Sequence, residues 1–197
     1  MLDFYPNERF AVFIDSANFR RSKQSINMYV DDERLLEYFR KNNGESIFLR
    51  IYHYESIPKE DGSEERAELV HRIHRRLDFM AYNGFTVVSK PSKDFIDSSG
   101  EAVLKGNMDG EMIVDMIVDM MAISENLDHI VVFSGDGDFR YAIEKLQERG
   151  KRVTVVSSEG SIANELKRQA DTYVDLEELR PFIESSHEPT RQQVAEV

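Results

Sequence analysis

The chain has 197 residues, enough for one domain of ordinary size whose core needs no covalent staples. It contains no cysteine, which excludes disulfides, thiolate zinc sites and cysteine nucleophiles within this sequence. A net charge of −12 argues against a passive nucleic-acid coat, which needs a basic face to displace counterions. The same charge is compatible with a carboxylate cage, because a bound cation reverses the local sign.

In chain order, the apolar run RFAVFID (9–15) reads as a first strand. A helix over 31–42 places Leu35, Leu36 and Phe39 at core spacing, and SIFLRIYHY (46–54) reads as the second strand. A long helix over 64–82 carries Leu69, Ile73, Leu77 and Met80 on one stripe and stops at Asn83-Gly84, before a third strand, FTVVSK, at 85–90. Residues 94–106, DFIDSSGEAVLKG, hold two short runs around Ser98-Ser99-Gly100 and predict a small hairpin or extended flap. A helix over 109–126, a strand HIVVFS (129–134) and a helix over 139–149 closed by Gly150 follow. The chain then predicts a strand RVTVVS (152–157), a helix over 162–170 and a short strand TYVDL (172–176).

This alternation points to βαβ units and a mainly parallel sheet, an α/β fold. With no repeat and no linker, residues 1–183 are expected to form a single domain, followed by a polar, disordered tail at 184–197. No run of apolar residues is long enough to span a membrane, and MLDFYPNERF lacks the apolar core of an export signal. A cytoplasmic location without membrane association is the expectation.

Several acids fall where an open parallel sheet keeps its sites, just beyond the carboxyl ends of strands. Asp15 ends the first strand, in FIDSANF, and Asp136 and Asp138 follow another, in VVFSGDGDF, where glycines 135 and 137 permit a tight turn. Each of these aspartates also suits a helix cap or turn, Asp138 before Phe139 above all, and that alternative stands beside the metal-binding one. Asp109 falls near the middle of the apolar stripe formed by Met112, Ile113, Met116, Ile117, Met120 and Ile123. An inward carboxylate there either caps the helix or meets a cation. Glu111, Asp115 and Asp119 lie on the opposite stripe and are expected to form a solvated face.

Four stretches, FIDSANF (13–19), KGNMDGEMIVDM (105–116), VVFSGDGDFRYAIEKLQERGKRVTVVS (131–157) and SIANELKRQADTYVDL (161–176), in this order and spacing, resemble the NYN domains of the PIN-like ribonuclease superfamily, the LabA-like bacterial group in particular. The resemblance implies a three-layer α/β/α fold, a Mg²⁺ or Mn²⁺ site and hydrolysis of RNA phosphodiester bonds. Position by position, it implies that Asp15 is the first metal-binding aspartate and Asn18 its polar companion. It further implies that Asp109 and Asp115 are the aspartates of the helix after Lys-Gly, and that Asp136 and Asp138 form the Ser-Gly-Asp-x-Asp element. Two positions depart from the usual pattern, Ser16 where glycine often follows the first aspartate, and Gly110 after Asp109.

On that reading Asp15, Asp109 and Asp136 are the principal metal ligands, Asp138 binds directly or through water, and Asn18 supports them. Ser134 and Lys105 are candidate contacts for the scissile phosphate, and Arg20 and Arg21, beside Asp15, for flanking phosphates. No histidine lies in these motifs, so none is assigned as a base. The run His71, Arg72, His74, Arg75 and Arg76 is read as a solvated helix face pairing with Glu64, Glu65 and Glu68, ahead of an RNA-binding strip. Lys90 and Lys93 lead into the flap. Tyr52, Tyr54 and Phe95 are candidates for base stacking, with core packing equally open. The expected partner is single-stranded RNA, and a homodimer stays open. Two other readings compete. A Toprim-type phosphodiester-transfer domain also places D-x-D after a strand, yet wants glutamate after its first strand. A non-catalytic RNA- or protein-binding module would keep the metal site for structure.

Overall fold

The computed structural model describes residues 2–41, 43–92, 95–96, 102–103 and 110–185. Its strands and helices run β1 (Arg9–Asp15), α1 (Ser16–Ser25), α2 (Asp32–Lys41), β2 (Ile47–Ile57), α3 (Glu64–Tyr82), β3 (Phe85–Pro91), β4 (Phe95–Ile96), β5 (Ala102–Val103), α4 (Gly110–Ile123), β6 (His129–Phe133), α5 (Arg140–Glu148), β7 (Arg152–Ser157), α6 (Asn164–Gln169), β8 (Thr172–Asp175) and α7 (Arg180–Ile183). Six strands form one sheet in the order β3-β2-β1-β6-β7-β8, every neighbouring pair parallel. Short β4 and β5 pair antiparallel, Phe95 with Val103 and Ile96 with Ala102, as a hairpin over 94–106 requires.

Parallel strands need crossovers, so both sheet faces are covered, and the central strands β1 and β6 are buried almost end to end. In β1, Phe10, Val12 and Ile14 enter a core under α2, α3 and α7, whereas Ala11 and Phe13 enter a second core under α4, α5 and α6. The result is a three-layer α/β/α arrangement. Chain order runs outward from β1 to β3 on one side, then restarts at β6 on the other. The switch therefore lies between β1 and β6, where an open α/β sheet leaves a crevice at the strands' carboxyl ends. At the opposite edge of the sheet, Arg152 forks onto Glu8 at 2.9 and 2.6 Å beside buried His129, a structural clamp remote from that crevice.

The structure differs from the sequence expectations in four places. Helix α1 follows β1 without a loop, because Asp15 accepts the free N–H of Asn18 as its N-cap. On α4 the acidic stripe is not the solvated face. Asp119 accepts a hydrogen bond from Tyr54 at 2.8 Å and Asp115 pairs with Lys90, while Val114 and Val118 point outward. Arg76 leaves its own helix and forks onto Asp32 of α2 rather than pairing with Glu64, Glu65 or Glu68. As the packing alternative expects, Tyr54 is fully buried and Tyr52 stacks on Phe13 at 4.8 Å. The chain stays anchored just past 183, with Glu184 bridged to Val30 and the Ser185 N–H donating to Tyr29 at 2.7 Å. The remainder of the tail and Lys93 lie outside the described residues. Among the described residues no helix is long and apolar enough to cross a membrane.

Candidate active site at the sheet switch point

Two strand ends meet at the crevice through one hydroxyl. Ser134, the residue after β6, donates to Asp15 Oδ2 at 2.9 Å and accepts from the Asp136 N–H at 3.1 Å. Asp15 also accepts from the Asn18 N–H at 3.1 Å and the Asn18 side-chain amide at 2.6 Å. Three of the roughly four lone-pair positions of its carboxylate are thus filled. Asp15 has no solvent exposure. Burial pushes its carboxyl up, the bonds from Asn18 and Ser134 pull it down, and the charge of Asp136 pushes it up again, for a net rise.

Asp136 is half-buried and caps the following 3-10 turn (Gly137–Phe139), its Oδ1 accepting the Asp138 N–H at 3.1 Å. The capping role considered for Asp138 thus belongs to Asp136, and the Asp138 carboxylate stands exposed to solvent. None of Asp15, Asp136 and Asp138 forms an ion pair with a described residue. Among the described residues no three acidic or histidine side chains gather as a metal-binding group. The structure brings Asp15, Asn18, Ser134 and Asp136 together and leaves Asp138 at the rim. Asp109 and Lys105 lie outside the described residues.

Asn18, Arg21, Gly135, Asp136 and Gly137 line one side of an open cleft of about 460 Å³, and Gly160, Ser161, Ile162 and Ala163 line the other. The two sides touch. The Ala163 N–H donates to Gly135 O at 2.8 Å, and a Cβ added at Gly135 would stand 1.9 Å from Ser161 O. Only glycine permits that approach. Hydroxyl pairs Ser22–Ser157 at 3.0 Å and Ser25–Ser158 at 2.7 Å fasten α1 to the same loop. The 158–163 loop was not singled out from sequence, because nothing local in SSEGSIA shows that it folds against the turn after β6.

Arg20 and Arg21, adjacent in sequence, have different surroundings. Arg21 is exposed on the cleft and forms no ion pair with a described residue. Arg20 donates to Glu55 Oε1 at 2.8 Å, and the His53 Nε2–H donates to the other oxygen at 3.3 Å. Burial alone would raise the Glu55 carboxyl, but the His53 hydrogen bond and the Arg20 guanidinium hold it at about 2. A carboxyl depressed below its usual 4.5 adds stability that is complete above that value and fades as pH falls toward 2. Glu55→Gln is therefore expected to cost roughly 1–2 kcal/mol at neutral pH, discounted because Arg20 is 38% exposed. Thermal melts between pH 7 and 2 check this, since the wild-type advantage over the variant should vanish across that acidic window.

Comparison with known proteins shows the family and the fold. The NYN domain pattern matches residues 9–177. The chain is 35% identical over 183 residues to the low amplitude and bright protein LabA of Synechococcus elongatus, covering 92% of this chain and 90% of that one. An uncharacterised protein of Methanocaldococcus jannaschii is 36% identical over 73 residues, 37% of this chain and 30% of its own. A crystal structure of a protein of unknown function from Vibrio parahaemolyticus superposes with a TM-score of 0.62 at 23% identity, covering 92% of this chain and 99% of that one, and shares the fold. The chain belongs to the NYN domain family, a nuclease-like family, and within it to the LabA-like kind.

Proposed function

We propose that this protein is a Mg²⁺- or Mn²⁺-dependent ribonuclease that hydrolyses single-stranded RNA in the cleft beside Asp15. The single observation that carries the reading is the Asp15–Ser134–Asp136 junction, where one hydroxyl joins two strand ends that each carry a carboxylate without an ion-pair partner among the described residues. Like charges held together in a partly dry crevice are costly unless a cation joins them. The donor set fits a hard divalent ion, which commonly takes one or two protein carboxylates and completes its shell with waters and substrate phosphate oxygens. The Ser16 hydroxyl, next to Asp15 in sequence, is buried without a hydrogen-bond partner among the described residues and is a further polar atom at this helix start.

When bound, such an ion supplies an activated water and neutralises charge on the phosphate under attack. The chain's own residues do the rest. Asn18 and Ser134 fix the Asp15 carboxylate in one orientation, and Ser134 is fully committed to that task rather than to phosphate. Asp136 offers its Oδ2 to the cleft while Oδ1 holds the turn. Arg21 is the cationic side chain on the cleft wall and pairs with a phosphate oxygen of the strand. Asp109 is proposed to complete the ligand set, with Asp138 acting through water at the rim.

The non-catalytic reading draws on one observation, that the described acids stop at a pair with Asp138 turned to solvent. A single experiment separates the two. Labelled single-stranded RNA incubated with Mn²⁺ should be cut by the wild type and left intact by Asp136→Asn. Binding without cutting by the wild type would establish the module instead.

A further inference from the structure

Beside the acidic crevice, on the other flank of α1, lies a group of charges that the proposed chemistry does not use. Arg20 and Lys23 occupy one face of α1, three residues apart. Around them stand Glu55 and His53 from β2, Asp32 from α2 and Arg76 from α3, all close enough to influence one another's charge. Two of the three permanent cations are satisfied. Arg20 bonds Glu55 at 2.8 Å, and Arg76 forks onto Asp32 with both contacts at 2.9 Å. That exhausts the carboxylates.

Lys23 is left over. It is half-buried, forms no hydrogen bond or ion pair with a described residue, and rests its ammonium 5.0 Å from the Phe19 ring centroid. Burial, followed by repulsion from Arg76, depresses its pKa to about 8 despite the attraction of Asp32. A chain of net charge −12 therefore keeps one surplus cation between two arginines, eight residues along α1 from Asp15, about 12 Å at the helical rise. The Phe19 ring and the last turn of α1 offset only part of the cost of burying this ammonium without a carboxylate partner.

We propose that Lys23, flanked by Arg20 and Arg76, is a subsite for a backbone phosphate of the RNA strand whose scissile phosphate lies at Asp15. It rests on RNA being the substrate. The arginines sustain the positive field of the cluster while spent on their own carboxylates, and Lys23 supplies the direct contact as a flexible point charge.

Binding of a short 3′-labelled single-stranded RNA, measured in EDTA across a salt series, tests the subsite without any cleavage. Lys23→Gln should weaken binding about fivefold at low salt and flatten the log–log salt dependence by about 0.7, the share of one phosphate contact on a single strand. Lys23→Arg should keep the wild-type slope. Lys23→Gln should also melt no lower than the wild type, whereas a lysine serving the fold would show a loss. Unchanged affinity and slope in Lys23→Gln overturn the proposal, as does a wild type that binds no RNA. If inorganic phosphate raises the wild-type melting temperature through Lys23 while RNA affinity ignores it, the cluster takes a free anion and the strand assignment falls. Cleavage that depends on Asp136 together with a silent Lys23→Gln sinks the subsite alone. A Lys23-dependent affinity without cleavage keeps the subsite and removes the nuclease.

Discussion

Asp15→Asn is expected to reduce Mn²⁺-dependent RNA cleavage by about 10²–10³-fold or more, the scale of losing one fixed group that stabilises developing charge, while the protein stays folded. The two halves of that expectation have separate physical grounds. Structurally, asparagine is as good an N-cap as aspartate, and its carbonyl oxygen can still accept the Asn18 N–H. Its amide then faces the Asn18 side chain and the Ser134 hydroxyl, which costs about 1 kcal/mol. Against that stands the removal of a fully buried charge whose carboxyl is already pushed up by burial and by Asp136. These effects offset, so the melting temperature should move by only about 2–4 °C for a chain of this size. Chemically, the variant keeps the shape of the junction and the cap bond from the Asn18 N–H, and loses the charge together with the two hydrogen bonds that Oδ2 accepts. A second readout needs no turnover. Mn²⁺ at about 100 times its dissociation constant should stabilise the wild type by about 2.7 kcal/mol and leave Asp15→Asn unmoved. Full activity in the Asp15→Asn, Asp136→Asn double variant would refute the assignment.

The sheet was legible in the sequence because β1, β6 and β7 at its centre are buried on both faces. Runs such as FAVFI and HIVVF admit little other reading, and an acid at the end of such a run announces itself. The position of Asp15 beside Asp136 follows from that alone once the strand order is known. Helix α1 was not legible, since its inward positions are Ser16, Asn18 and Ser22 with a single apolar anchor, Phe19. Asn18 is buried because it meets Asp15 at the helix start, and Ser22 because it meets the Ser157 hydroxyl, a partner far away in sequence. The acids of α4 misled for the converse reason. Four-residue spacing usually marks a wet face, yet here the sheet edge supplies Tyr54 and Lys90, and the valines turn outward. The charges around Glu55 come from four elements and have no signature in any one of them. Periodicity reports what touches the core; it is silent on which polar groups find one another.

Among the described glycines, Gly135→Ala should be the most damaging substitution. The added Cβ would stand 1.9 Å from Ser161 O and 2.8 Å from Ser157 Oγ, and the first of these is backbone that cannot rotate away. Relief requires the 158–163 loop to retreat, which breaks the 2.8 Å bond from the Ala163 N–H to Gly135 O and disturbs the serine pairs that fasten α1. Overpacking of this kind costs about 1–3 kcal/mol, to which the lost bond adds about 1 more. A melting temperature lower by about 5–15 °C follows. Gly160→Ala is the matched control, since its Cβ would meet nothing within 4 Å, and it should melt like the wild type. Calorimetry on the pair decides the matter. The loop wall of the cleft and the carboxylate turn are then one mechanical unit, so Gly135→Ala should also lose cleavage at temperatures where it remains folded. Equal melting curves for the two alanine variants would mean that the loop does not close on the turn, and the cleft would lose its second wall.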